Sequence, residues 1–352
     1  MPDWTKPMEQ SFEYYTVEPT TLADIQRLDN VKKASFSRDT SAETLGSATI
    51  DVVNSVGETY IRGYLKTRQN GVTEKFPLGT VLSQTPSSSF NGKFMEVSMD
   101  CYTPLIELKE KKMPLGYTVR KGTNIMQAAY NIVKANCRVP VGAATSDMTL
   151  QSNYTAGTND TVLSFVIALI SNANYELALD EKGGILFNPI QELDSLQPVW
   201  TFDDSNSSIL LPDITVSHDL YGIPNVVEVM YSYGSDCKRA VAINDDPNSP
   251  TSTINRGRRI PYYDTDPSLR GYVTQDQMDA YAERVLKTLS TLEYTVSYTH
   301  AYCPVRPGDC VRLNYTRAGM TDIKAKVISQ NIKAEPGCQV SEKAIFKSKL
   351  WR

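Results

Sequence analysis

CPVRPGDCVRL, Cys303 to Leu313, sets a Pro-Gly-Asp turn directly before an alternating run, Val311-Arg312-Leu313. Pro307 fixes φ and Gly308 permits a tight reversal, so the stretch reads as a turn feeding a sheet strand. KFPLGTVL, Lys75 to Leu82, holds similar ingredients, with Pro77-Leu78-Gly79 ahead of Val81-Leu82. Each stretch lies in its own β-rich half, and the echo suggests one β domain used twice. Taken alone, such a turn is more often a plain connection than a sign of repetition.

Around KFPLGTVL, residues 1–112 read as antiparallel sheet curled into a small barrel. Strand candidates are SATIDVV, ETYIRGYLKTR and FMEVSMDCYTPLIEL, and in the third Val97, Met99 and Cys101 alternate with Glu96, Ser98 and Asp100. Asn70-Gly71 between two strand-like runs predicts a tight hairpin, because both residues accept positive φ. Residues 113–208 read as an inserted α/β module. GTNIMQAAYNIVKAN has helical spacing with Thr123 or Asn124 to cap it, and a second helix is predicted to start at Asn159 or Asp160 and contain VLSFVIALI. YELALDEKGGILFNP then reads as two short strands about Lys182-Gly183-Gly184.

Around CPVRPGDCVRL, residues 209–352 return to strands: ILLPDITVSHDL, NVVEVMYSYG, KRAVAIND, EYTVSYTHAYCPV, CVRLNY and DIKAKVISQNIKA. One helix over about 274–290 interrupts them, opened by the capping-box pattern Thr274-x-x-Gln277. This third segment reads as a second β-barrel domain.

Composition narrows the function. A chain of 352 residues has room for two or three domains, and 36 basic against 40 acidic residues argues against a protein that binds nucleic acid by neutralising phosphates. The longest apolar run, Val162 to Ile170, is about half of what a membrane-spanning helix needs. MPDWTKPMEQ has neither the basic start nor the apolar stretch of an export signal. Six cysteines without a CxxC pair predict reduced, partly buried thiols.

Catalytic material is sparse. His218 and His300 are the two histidines, with no nucleophile elbow or catalytic-cysteine context, and both read as structural. No phosphate-binding loop appears, no metal set is signalled and no cofactor is expected. Twenty tyrosines against nine phenylalanines suit β surfaces that meet partners. In NRGRRIPYYD, Arg256, Arg258 and Arg259 beside Tyr262 and Tyr263 form the candidate partner contact, against the blander reading of a solvated loop tip.

The order of parts resembles the tail hub, or baseplate hub, proteins of tailed bacteriophages and related contractile injection systems. The likeness rests on TLGSATIDVVN and FPLGTVL, an insert opening KGTNIMQAAYNIV, then YGIPNVVEVMYS, a helix and PVRPGDCVRL. The resemblance implies a mainly β fold of two tube-like antiparallel β-barrel domains joined by an inserted helical module. It implies a structural, non-enzymatic virion protein, assembled in the bacterial host cytoplasm. Its homotrimer would cap the distal end of the tail tube, adapt six-fold symmetry to a three-fold spike, and line the DNA channel. The implied partners are further copies of itself, tail tube protein, spike protein, other baseplate or tail-tip proteins and tape measure protein, with DNA only as passing cargo. No fused lytic domain is expected after KAIFKSKLWR. The competing expectations are a β-rich cell-wall-degrading enzyme, which needs two facing carboxylates in a cleft, and a receptor-binding tail-tip module, which needs an exposed aromatic pocket.

Overall fold

The computed structural model describes residues 1–349 apart from Ser55, Asp266, Ser268 and 270–272. In the first half, β1 (Glu9–Val17), β2 (Asp24–Arg27), β3 (Val31–Asp39), β4 (Gly46–Val53), β5 (Tyr60–Gln69), β6 (Val72–Phe90) and β7 (Met95–Tyr102) pair antiparallel in the order β3-β4-β7-β6-β5-β1-β2. Period-two alternation drives Ala48, Ile50 and Val52 of β4 inward against Val97, Met99 and Cys101 of β7. Asn70 and Gly71 take φ of 51° and 80° and close Gln69 onto Val72, the two-residue hairpin that Asn-Gly predicts. The Phe36 ring fills the interior so closely that a Cβ on Gly63 would sit 2.5 Å from its Cζ, which is why glycine stands there.

Two expectations are corrected in this half. KFPLGTVL is the interior of β6 and not a turn before a strand. Tyr64 pairs with Pro77 and Gly63 with Gly79, so Leu78 is an extra residue, a β-bulge, which is how a strand accommodates a proline that cannot donate. The run ending in PLIEL stops being strand at Tyr102. Pro104 cannot join a ladder, Ile106 N–H donates to Thr103 O, and the chain turns into α1 (Ile106–Glu110).

The inserted module adds β8 (Thr118–Val119), α2 (Ile125–Asn136), β9 (Tyr154–Thr155), α3 (Val162–Ser171) and the hairpin β10 (Tyr175–Leu179) and β11 (Ile185–Pro189). Asn124 caps α2 by accepting from Gln127 N–H. The α3 cap is Thr161, in a reciprocal capping box with Ser164, just beyond the two residues predicted for it. Met126, Ala129 and Val133 of α2 and Leu163, Val166 and Leu169 of α3 share one core with Tyr60, Leu82 and Leu105 of the first half. The module is continuous with that half because neither helix pair nor hairpin encloses a core by itself.

The second half contributes β12 (Pro198–Asp203), β13 (Leu210–His218), β14 (Val226–Tyr233), β15 (Asp236–Ile243), α4 (Thr253–Arg256), β16 (Pro261–Asp264), α5 (Gln275–Leu289), β17 (Thr291–Ala301), β18 (Cys310–Asn314), β19 (Ile323–Lys333) and β20 (Gln339–Lys349). Pro307-Gly308-Asp309 is a turn before β18, as read: Gly308 has φ 97° and Asp309 N–H donates to Arg306 O. β19 pairs antiparallel with β18 through Ile323–Lys326 and with β3 through Ser329–Lys333. That register joins the two β halves edge to edge in one sheet.

The chain divides into two compact units, and along different lines from the three segments read from the sequence. One comprises Met1–Ile214 and Ser297–Ala344, the other Thr215–Val296 and Ile345–Arg352. In the second unit α5 covers the sheet β15-β14-β16, burying Met278, Ala282 and Leu286 against Val227, Val229, Ala240 and Ala242. Its Thr274–Gln277 capping box forms as predicted. No helix among the described residues is long and apolar enough to cross a membrane.

Candidate assembly surfaces

Two inward-reaching arginines, Arg62 buried and Arg38 half-buried, tie the first unit together. Arg62 is 1% exposed: its Nε donates to Thr80 Oγ1 (2.8 Å), Nη1 to Leu22 O (3.0 Å) and Asp24 Oδ1 (2.7 Å), and Nη2 to Lys182 O (2.8 Å). It pins the β10–β11 turn to the first sheet. Arg38, on β3, donates to Leu78 O through Nη2 (2.8 Å) and Nε (3.2 Å), and to Gln330 Oε1 through Nη1 (3.1 Å). The carbonyl exposed by the β6 bulge is thereby satisfied. Burial pulls the Arg38 pKa down from its ordinary value.

Gln330 carries the chain of bonds onward. Its Nε2 donates to Glu342 Oε2 (2.6 Å) and Val305 O (2.8 Å), while Glu342 also accepts from the Tyr298 hydroxyl and lies 3.3 Å from His300 Nε2. Burial and then the neighbouring carboxylate push the Tyr298 hydroxyl pKa up. His300 is fully buried against the Phe202 ring, as a structural histidine should be. His218 is exposed at the end of β13 beside Tyr294. Sequence reading missed Arg38, Arg62, Gln330 and Glu342, since each sits in a strand where alternation alone places polar residues in solvent.

A groove of the first unit, about 880 Å³, is lined by the β3–β4 loop, the β10–β11 hairpin, Leu196 to Val199 and the Arg306–Cys310 turn. Its carboxylates are mostly committed. Asp39 accepts from Ser41, Glu43 pairs with Lys109 (2.9 Å), Glu181 pairs with Arg306 (3.2 Å), and Asp180 accepts from the Lys182 and Gly184 N–H groups. No group of three or more metal-ligating side chains occurs among the described residues.

In the second unit the predicted arginine cluster separates into two roles. Arg256 ends α4 with Nη1 donating to Ile223 O (2.8 Å) and Nη2 to Leu220 O (2.9 Å), so it props its own neighbourhood. Arg258 and Arg259 are exposed, and so are Tyr221, Tyr262 and Tyr263. The loop behind them is held from within: Asn244 donates to Ser249 Oγ, Asn255 to Pro247 O and Ser249 O, and Asn225 to Arg258 O. A hydrogen-bonded base presenting arginine and tyrosine loses little entropy on contact.

No protein-family model and no curated protein matches the chain. Solved structures do. The tail protein from Neisseria meningitidis MC58 is 11% identical with a TM-score of 0.62, covering 96% of each chain. The 43 kDa tail protein of prophage MuSo2 from Shewanella oneidensis is 10% identical with a TM-score of 0.61, covering 96% of this chain and 98% of that one. The E. coli c3393 protein, a type VI secretion component described as similar to the T4 tail proteins gp27 and gp5, is 9% identical with a TM-score of 0.50, over 93% of this chain and 76% of that one. The chain has the fold of these proteins.

Proposed function

We propose that the chain is a structural protein of a phage tail or related injection apparatus, a homotrimeric hub that caps the distal end of the tail tube and joins it to a three-fold spike. One observation carries the reading: two β halves run edge to edge through β3 and β19, around a helical module, in a fold shared over nearly the whole chain with tail proteins. Three such chains about an axis offer six β bodies to a six-fold tube and three-fold symmetry to a spike. A closed ring also covers sheet edges that a single chain leaves open. Tail tube, spike, other baseplate or tail-tip proteins and tape measure protein are the partners this reading names, and DNA passes through. It places the chain in the virion after assembly in the host cytoplasm. Arg258 and Arg259 are the contact residues it favours in the second unit.

Co-expression with tube and spike products, followed by affinity capture and mass measurement, tests it. A complex holding three copies of this chain per spike supports the reading. Failure to associate with either product overturns it.

A further inference from the structure

β6 changes neighbours along its length. Val72 to Leu82 pairs with β5, whereas Thr85 to Phe90 pairs with β7 alone, leaving one edge open among the described residues. Asn91 N–H donates to Phe94 O at the tip, so the hydrogen-bonded pairs fall at Ser89/Glu96, Ser87/Ser98 and Thr85/Asp100. The main chain of Pro86, Ser88 and Phe90 therefore faces outward. All six residues from Thr85 to Phe90 are exposed and none is charged; Pro86 has no N–H to offer, but Ser88 and Phe90 leave main-chain groups that can pair with another strand. At the tip Phe90, Phe94 and Met95 are 67%, 47% and 42% exposed, with Lys93 beside them.

The groove described above offers the complement. β10 pairs only with β11 and β12 only with β18 among the described residues, so each leaves an open edge. Ile167, Ile190 and Val199 line the groove as exposed apolar groups, and Glu176 is its carboxylate without a partner among the described residues. Its volume lies in the range that accommodates several side chains. Tip and groove cannot meet within one chain. Ser47, at one end of β4, lines the groove, while at the other end Val53 pairs with Glu96, which lies opposite Ser89 beside the hairpin tip. Six strand residues separate them by about 20 Å in one rigid ladder.

We propose that the β6–β7 hairpin tip of one copy docks in the β10–β12 groove of the next, with Lys93 meeting Glu176, so that unlike surfaces join and close a ring. This rests on the homotrimer reading and names its contact. The test uses two full-length variants altered at exposed positions: Phe90→Ser/Phe94→Ser/Met95→Ser in the tip, and Ile190→Arg/Val199→Arg in the groove. Light scattering should show trimeric wild type and each variant alone as a single chain. An equal mixture of the two should stop at two chains, because one intact tip meets one intact groove. Lys93→Glu should weaken association about tenfold, and adding Glu176→Lys should restore it. If wild type is trimeric and both variants stay trimeric, the contact is refuted and the hub reading survives. A hairpin variant that remains trimeric but loses its spike assigns the tip to another partner and also refutes the contact. A wild-type chain that stays single even beside tube and spike products removes the homotrimer and the contact together.

Discussion

Arg38→Met tests how the two β halves are held in register. The bulge at Leu78 turns a carbonyl away from the β5 ladder, and Arg38 reaches it from β3 at 2.8 Å while its other arm holds Gln330 at 3.1 Å. Hydrogen bonds to charged groups contribute about 1.5–3 kcal/mol each. Leu78 O counts as one acceptor although two nitrogens reach it, and the 3.3 Å approach to Pro77 O adds little. Methionine replaces most of the apolar stem, so lost packing is small. Two bonds, reduced because the guanidinium is only partly buried, give a loss of about 3 kcal/mol. Urea unfolding followed by far-ultraviolet circular dichroism at fixed protein concentration measures it. A double-mutant cycle with Gln330→Leu should return a coupling of about 1 kcal/mol or more. A loss below about 1 kcal/mol with no coupling would refute the claim that this side chain satisfies the bulge and links the halves.

Other outcomes follow from single sites. Gly46→Ala should destabilise by about 3 kcal/mol or prevent folding, since φ is 142° and the new Cβ would lie 2.2 Å from Ser37 O; thermal unfolding reads this directly. Burial alone would raise the Glu13 pKa, but bonds from Lys75, Lys66 and Tyr15 outweigh it and hold it at about 2. That folded-state depression stabilises the protein above the unfolded carboxylate range, and about 2–3 kcal/mol should be lost as pH falls from 4.5 toward 2; in Glu13→Gln this part of the pH dependence should vanish. Of six thiols only exposed Cys237 should react quickly with a thiol reagent at neutral pH, because burial pushes Cys101 and Cys338 up to about 12. Arg258→Ala/Arg259→Ala should weaken tail assembly with unfolding unchanged, whereas Arg256→Ala should also lower stability by freeing Leu220 O and Ile223 O.

Local signals were legible where one short interaction decides the structure. Asn70-Gly71, the Thr274 capping box, the Asn124 cap and the alternation of β7 each act within a few residues. What escaped was decided across the chain. Pro77-Leu78-Gly79 looks like a turn because Pro and Gly usually punctuate, yet Arg38 supplies the donor that lets the strand continue through it. The division into units was likewise hidden, since α2 and α3 acquire their core only against Tyr60, Leu82 and Leu105. The arginine cluster was visible as composition, but not that Arg256 turns inward to two carbonyls while its neighbours face solvent. The open edge of β6 follows from where β5 begins, with Tyr60 opposite Leu82, a matter of register that alternation does not report.

The most direct test of the central claim is the mass of the purified chain by light scattering, alone and beside the tube and spike products. The account predicts three times the 39.2 kDa of one chain, alone or on meeting its spike. A mass of one chain under every one of these conditions would contradict it.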